Sequence, residues 1–232
     1  MSISGMIFDV DGTLVDTNPA HVEAWRRAFL KMGHQVPTSR IVLEIGKGGD
    51  LLVPSVLGEQ AEEREGEALR KRQKEEFLAI ARKERFRLFP GAREIFPALR
   101  ERGVLTALAT SSNDKHLEAT LASAGVDLRR LADKVVTKTE DQTSKPAPDL
   151  IVAAVEELQL PAASCAMVGD TVYDGAACRK AGVTFFGVLS GGTPESALRE
   201  AGARIVFADV AAMLEQLDRT LETAVLDAAA QP

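Results

Sequence analysis

The stretch "MIFDVDGTLVDT", Met6 to Thr17, runs three apolar side chains into Asp9 and sets a second carboxylate, Asp11, two positions later, just ahead of a Gly-Thr turn. In an extended chain residues i and i+2 point to the same side, so Asp9 and Asp11 share one neighbourhood at the end of a strand. Two like charges held close raise one pKa or require a cation. A buried strand that ends this way therefore points to chemistry at its carboxyl end. Taken alone, such an Asp-x-Asp pair reads as a surface turn, so its meaning depends on what the rest of the chain brings to the same edge.

Working outward, the short apolar runs "VLTALAT", "KVVT", "CAMVGD", "TFFGVL" and "RIVFAD" follow, separated by the helical patterns "AREIFPALRERG", "KHLEATLASAG", "PDLIVAAVEELQL", "GAACRKAG" and "ESALREAG". Strand-like runs alternating with helical segments, most of them closed by Gly, predict βαβ units around a mostly parallel sheet. One segment breaks the alternation. From about residue 17 to 87 there are only helical stretches, "HVEAWRRAFLKMG" and the charged "EQAEEREGEALRKRQKEEFLAIARK" among them. Asn18 followed by Pro19 is read as a cap and first helical position, so a helix starts right after the first turn. "FPG", Phe89 to Gly91, marks the return of the alternating pattern. The mixed charges around Glu59 to Glu76, with pairs such as Glu67 and Lys71 at i,i+4, are read as a solvated helix face.

The chain has 232 residues, 45% of them hydrophobic and 27% charged, with a net charge of -6. This is the composition of a globular protein with a substantial core, and it leaves no basic footprint for nucleic acid or an anionic membrane. No apolar run approaches the ~18 residues of a membrane span. The start "MSISG" has no basic segment ahead of an apolar one, and the two cysteines, Cys165 and Cys178, sit in no CxxC, so both are expected as small core residues in a cytoplasmic setting.

In an open parallel sheet ligands bind beyond the carboxyl ends of the strands. The first run ends in Asp9 and Asp11, "VLTALA" in Thr110 and Ser111, and "CAMVG" in Asp170 with Asp174 four residues on; Lys145 stands in the loop after "KVVT". Carboxylates, hydroxyls and one ammonium thus gather at one edge, a set suited to a phosphate ester with a magnesium ion. Magnesium takes oxygen ligands and keeps several waters, so a few carboxylates suffice. Asp9 is placed to attack phosphorus while Lys145, Thr110 and Ser111 neutralise the phosphoryl oxygens, and Asp11 to move the protons.

"DVDGT", "ATSS", "KPAPD" and "GDTVYD", in this order, resemble the four motifs of the haloacid dehalogenase-like superfamily, in its phosphoglycolate phosphatase and β-phosphoglucomutase-like branch, and "LSGG", Leu189 to Gly192, also matches its pattern. The resemblance covers essentially the whole chain. It implies a Rossmann-like, mostly parallel α/β core, residues 1–16 and 88–232, with a helical cap inserted at 17–87. It implies Asp9 as nucleophile and magnesium ligand, and Asp11 as acid/base with its backbone carbonyl on the metal. Thr110, Ser111 and Lys145 would bind the phosphoryl group, Asp170 the magnesium directly, and Asp174 would support it through water or from behind. His21 and Lys47 fall where family members place substrate-facing groups on the cap. The glycines after Lys47 mark a loop that approaches something closely, although "GKGG" lacks the spacing of a P-loop. His34 and His116 show no metal-ligand spacing.

The expected activity is magnesium-dependent hydrolysis of a small phosphorylated metabolite, of phosphoglycolate or sugar phosphate type, through an aspartyl-phosphate. A phosphomutase shares every motif and differs in how the cap admits water. A catalytically silent binding or regulatory protein is disfavoured because no catalytic position is lost. Dehalogenation and phosphonate cleavage are disfavoured because those branches lack an acid at the place of Asp11.

Overall fold

The computed structural model describes residues 3–139 and 142–223. Six strands form one wholly parallel sheet: β1 (Gly5–Phe8), β2 (Leu105–Thr110), β3 (Lys134–Thr137), β4 (Cys165–Gly169), β5 (Thr184–Val188) and β6 (Ile205–Phe207), in the spatial order β3-β2-β1-β4-β5-β6. β1 is central and fully buried, which is why it reads as an uninterrupted apolar run and not as an alternating one. Its side chains still divide by parity. Met6 and Phe8 join the cluster of Ile95, Phe96, Leu99 and Leu117 on one face, and Ile7 joins Ile151, Ala154, Met167 and Cys178 on the other. Phe8 and Phe96 pack tilted with centroids 5.4 Å apart, and truncating either to Ala would cost about 3–5 kcal/mol.

Helices α1 (Asn18–Lys31), α2 (Thr38–Val42), α3 (Gly49–Leu57) and α4 (Glu59–Ala81) follow β1 directly, and α5 (Ile95–Arg100) then leads into β2. The remaining helices are α6 (Asp114–Ala124), α7 (Asp149–Leu158), α8 (Val172–Ala181), α9 (Glu195–Glu200), α10 (Val210–Leu214) and α11 (Leu217–Thr223). They cover the two faces of the sheet, the three-layer α/β arrangement expected of alternating runs.

The segment from α1 to α4 contains no named strand and has an apolar centre of its own, built from Trp25, Phe29, Ile41, Leu52, Val53, Val56 and Leu69. The chain enters and leaves it through two strands of backbone lying side by side. Asp16 N donates to Arg87 O at 2.9 Å, Phe89 N donates to Leu14 O at 2.9 Å, and Val15 bridges Leu88. The expected limits at residues 17 and 87 fall at this junction; residues 1–2, 140–141 and 224–232 of the expected ranges lie outside the described residues.

Two local expectations change. Asn18 opens α1 as its first residue instead of capping it, because its side chain is spent elsewhere, on Asp170 and the carbonyl of Gly191. The charged face of α4 carries pairs such as Arg72–Glu75, while Leu69, Gln73, Glu76, Phe77 and Ile80, spaced at helical intervals, are buried. Both cysteines are buried and free, and among the described residues no helix is long and apolar enough to cross a membrane.

Candidate active site

Strand order reverses between β1 and β4, the point at which an open sheet leaves a crevice beyond its strand ends. Asp9 follows β1 there and Asp170 follows β4. A cavity of about 240 Å³ opens above them, closed on its far side by α1, α4 and the loop before α3, with Asp9, Asp11, Ser111, Lys145 and Asp174 in its wall.

At the floor lies a buried ion cluster. The Lys145 ammonium, on a side chain 3% exposed, is 2.6 Å from Asp9 Oδ1 and 2.7 Å from Asp174 Oδ1. Burial opposes its charge, but the two carboxylates outweigh that and hold its pKa above the usual lysine range. For Asp9 burial dominates and raises the pKa well above the carboxylate range; Lys145 counteracts it, and Asp174, Asp170 and Asp11 add to it, in falling order. Asp11, the neighbour that the i,i+2 spacing singles out, is thus the weakest of the three carboxylates acting on Asp9. The physical reason is that Asp11 already belongs to the turn, where its carboxyl meets a different set of groups.

Asp11 is held by four side chains. Thr17 Oγ1 donates to its Oδ1 at 2.7 Å and His21 Nε2 lies 3.2 Å from the same oxygen; the hydroxyls of Thr110 and Ser112 each donate to Oδ2 at 3.3 Å. Burial works to raise its pKa, but His21, Thr17 and Thr110 together bring it down to about 2.

Asp170, also buried, accepts from Thr13 Oγ1 at 3.0 Å and from Asn18 Nδ2 at 3.1 Å. Burial and then the Asp174 charge push its pKa up to about 7, against these two donors and Lys145. The "LSGG" loop closes over it: a Cβ at Gly191 would stand 1.6 Å from Asp170 Oδ2, so only glycine lets that backbone pass. Asp174 is committed otherwise. Its Oδ2 accepts from the backbone N and hydroxyl of Thr171 in a capping box at the start of α8, and its Oδ1 faces Lys145. It therefore supports the ion cluster from behind, with its Oδ1 on Lys145 and its carboxylate in the cavity wall.

Among the described residues no three His, Cys, Asp or Glu side chains converge into a ready cage for a metal ion. A hard cation that keeps several waters does not require one. Three buried carboxylates, Asp9, Asp170 and Asp174, share the ammonium of Lys145, and the pKa values of Asp9 and Asp170 are raised first by burial and then by that excess of negative charge. The donor set fits a magnesium ion on Asp9 and Asp170.

The remaining expected residues divide. Ser111 lines the cavity, whereas Thr110 is fully buried and its hydroxyl is used on Asp11. His21 lines the cavity but is turned to Asp11, stacked on Phe77 with ring centroids 4.2 Å apart, and Gln73 Nε2 lies 3.4 Å from its other ring nitrogen. Lys47 also lines the cavity, yet its ammonium is bound by Glu44, and by Ser55 at 2.9 Å. Of the two other histidines, His34 pairs with Glu65, and His116 lines the cavity, between Asn113 Oδ1 and the carbonyl of Lys74. Residues to which the sequence assigned no part in the site are Thr13, Thr17, Asn18, which was read only as a helix cap, Ser112 and Gln73. The first four stand within or beside the motifs, and Gln73 is a polar residue on the buried stripe of α4, so position alone was a usable signal.

The chain matches the model of the haloacid dehalogenase-like hydrolases over residues 3–182. It is 30% identical over 199 residues to a phosphoglycolate phosphatase of Nitrosospira multiformis, covering 82% of this chain and 85% of that relative. A second relative, the Arabidopsis thaliana protein Suppressor of Quenching 1, chloroplastic, is 27% identical over 90% of this chain, which spans only 20% of its length. The fold overlays a hydrolase from Pseudomonas syringae with a TM-score of 0.83 at 29% identity, covering 93% of this chain and 98% of that one. With strand order, motif order and buried lysine all in agreement, the chain belongs to the haloacid dehalogenase-like hydrolase family and is an enzyme of its phosphatase branch.

Proposed function

We propose that the protein is a magnesium-dependent phosphatase of a small phosphorylated metabolite, of phosphoglycolate or sugar phosphate type. The observation that carries this is the Lys145 ammonium buried between Asp9 and Asp174 at the floor of a cavity walled by both the sheet's edge and the helical segment. The name of the Nitrosospira relative supports the substrate class. We read residues 1–16 and 88–232 as the core and 17–87 as a cap that shuts the cavity, and the paired backbone at Val15 and Leu88 as its hinge.

Asp9 attacks phosphorus, forming an O–P bond as the bond to the leaving oxygen breaks. Lys145 and the Ser111 hydroxyl neutralise the phosphoryl oxygens. Asp11, ionised in its resting surroundings, takes up a proton as the anionic phosphoryl group arrives and raises its pKa, and passes it to the leaving oxygen. It then removes a proton from the water that cleaves the aspartyl-phosphate, which releases phosphate and restores Asp9. Asp9, Asp170 and the main-chain carbonyl of Asp11 would hold magnesium, which supplies further positive charge to the transferring group.

The test is phosphate release from a panel of phosphorylated metabolites by the purified protein, in magnesium and in excess chelator. Hydrolysis of one ester well above the rest, lost in chelator and restored by magnesium, is expected. Release unaffected by chelator, or none from any ester, would overturn the reading, and isomerisation with a bisphosphate primer in place of release would make the enzyme a mutase.

A further inference from the structure

Lys145 is anchored from the helical segment as well as from the sheet. Between Thr137, the end of β3, and Asp149, the start of α7, Lys145 lies in no helix or strand; its turn is tied locally by Ala147 N to Ser144 O and by Thr143 N to Asp149 Oδ2, and a further set of contacts reaches it from the helical segment. The residue before it, Ser144, is 2% exposed and donates its hydroxyl to Oδ1 of Asp50, in the first turn of α3. Lys138 Nζ lies 3.2 Å from the same oxygen and also donates to the Ser144 hydroxyl, so the three side chains close on one another. The approach is tight enough to dictate sequence: a Cβ on Gly48 would stand 1.8 Å from Ser144 Oγ. One residue earlier, the Lys47 ammonium lies 5.5 Å from the ring centroid of Tyr173, the neighbour of Asp174. A single stretch, residues 46–50, the loop before α3 and its first turn, therefore touches the chain beside both Lys145 and Asp174, the two ends of the buried ion pair.

We infer that Asp50 is a positioning residue, which through Ser144 fixes the Lys145 loop against Asp9 when the helical segment is docked. The inference rests on the reading of Asp9 and Lys145 as the reacting pair. Ser144 carries the coupling more than Lys138 does, because the Lys138 and Asp50 side chains are 23% and 38% exposed and their attraction is screened by water, whereas the serine hydroxyl is buried.

The experiment is a double-mutant cycle of Asp50→Ala and Ser144→Ala on hydrolysis of an aryl phosphate in magnesium, with Asp50→Asn as the conservative variant and amide hydrogen exchange over residues 142–151 as a readout that needs no turnover. Each alanine variant should lower kcat ~10- to 100-fold, the scale of a misplaced catalytic group, with KM little changed. The double variant should lose no more than the worse single one, and Asp50→Asn, which keeps an acceptor for Ser144, should recover most of the activity. Exchange over the Lys145 loop should quicken in Asp50→Ala while the thermal midpoint stays near that of the wild type. Losses that multiply in the double variant, an Asp50→Ala enzyme within about twofold of wild type, or unchanged exchange would each overturn the inference. A wild-type protein that hydrolyses nothing would overturn the reading of the reacting pair instead, and the exchange comparison would still decide the contact.

Discussion

His21 Nε2 lies 3.2 Å from Oδ1 of Asp11, an oxygen that also accepts from Thr17 Oγ1 at 2.7 Å. Both partners sit where the chain passes from the first strand's turn into α1, so the carboxylate assigned to proton transfer is held by the helical segment as well as by the hydroxyls of Thr110 and Ser112. His21→Gln keeps a donor but removes the ring that stacks on Phe77. The pKa of Asp11, held at about 2 with His21 the foremost of the groups that lower it, should rise. With Asp11 acting as the acid of the first step, the alkaline limb of the kcat/KM profile should then move to higher pH, and, because the carboxyl has lost the partner that orients it, hydrolysis of alkyl phosphates should fall ~10- to 100-fold while aryl phosphates, whose leaving group needs little protonation, suffer less. An equal loss for both ester types would mean that His21 serves only to pack on Phe77.

Asp9→Asn and Lys145→Met should separate chemistry from folding. The amide keeps the shape of Asp9 and leaves Lys145 its second partner, Asp174, so the fold should survive while turnover drops by at least ~1,000-fold. Lys145→Met leaves Asp9 and Asp174 buried without a counter-charge and should cost about 3–5 kcal/mol of stability as well as activity. Thermal melts beside single-turnover assays check both. A tenth of wild-type activity left in Asp9→Asn would remove the covalent step.

The buried carboxylates give a pH dependence of known sign. Asp170 titrates near 7 in the fold against an ordinary value of 3.8, so the folded chain binds more protons than the unfolded one between those values. Stability from this group is full below the unfolded value and is lost as pH rises through about 7. In chelator the thermal midpoint should therefore fall on going from mildly acidic to mildly alkaline solution, and Asp170→Asn, which cannot titrate, should flatten the slope. Magnesium should raise the midpoint most at the alkaline end, where the carboxylates are ionised. A slope unchanged in Asp170→Asn would mean that Asp170 does not carry this titration.

The sheet and the ion cluster were legible because each depends on a pattern the chain repeats. Every strand that is buried on both faces is an apolar run, and every motif carboxylate follows one. What was not legible depends on contacts between distant segments. Asn18 has the composition and position of a helix cap, and only the approach of the "LSGG" loop turns its side chain to Asp170 and Gly191. Thr110 has the chemistry of a phosphate ligand, and only the fall of the turn after Asp11 gives its hydroxyl another partner. Gln73 was hidden by charge, since the polar stretch of α4 conceals that residues 69, 73, 76, 77 and 80 share the buried face.

Lys47 tests how far a side chain's chemistry predicts its use. A lysine in a glycine-rich loop over a phosphate site invites the reading that it recognises the part of the substrate that does not react, and on that reading Lys47→Ala would harm an anionic metabolite far more than an aryl phosphate. In the fold, however, the ammonium is bound by Glu44 and Ser55 and lies over the ring of Tyr173. Burial disfavours its charge, but Glu44 and Tyr173 prevail and its pKa stands above the ordinary lysine value. A cation so matched gains little by leaving these partners for a substrate. Lys47→Ala should therefore loosen the loop that rests on Tyr173 and Ser144 and lower kcat for anionic and aryl esters by the same factor, of the order of 3- to 30-fold, since the shared Lys145 is what that loop helps to place. Lys47→Met, which keeps the length and the contact with the ring, should recover part of the loss for both. A selective rise in KM for the anionic metabolite would return Lys47 to substrate recognition and show that Glu44 only holds the ammonium until substrate arrives.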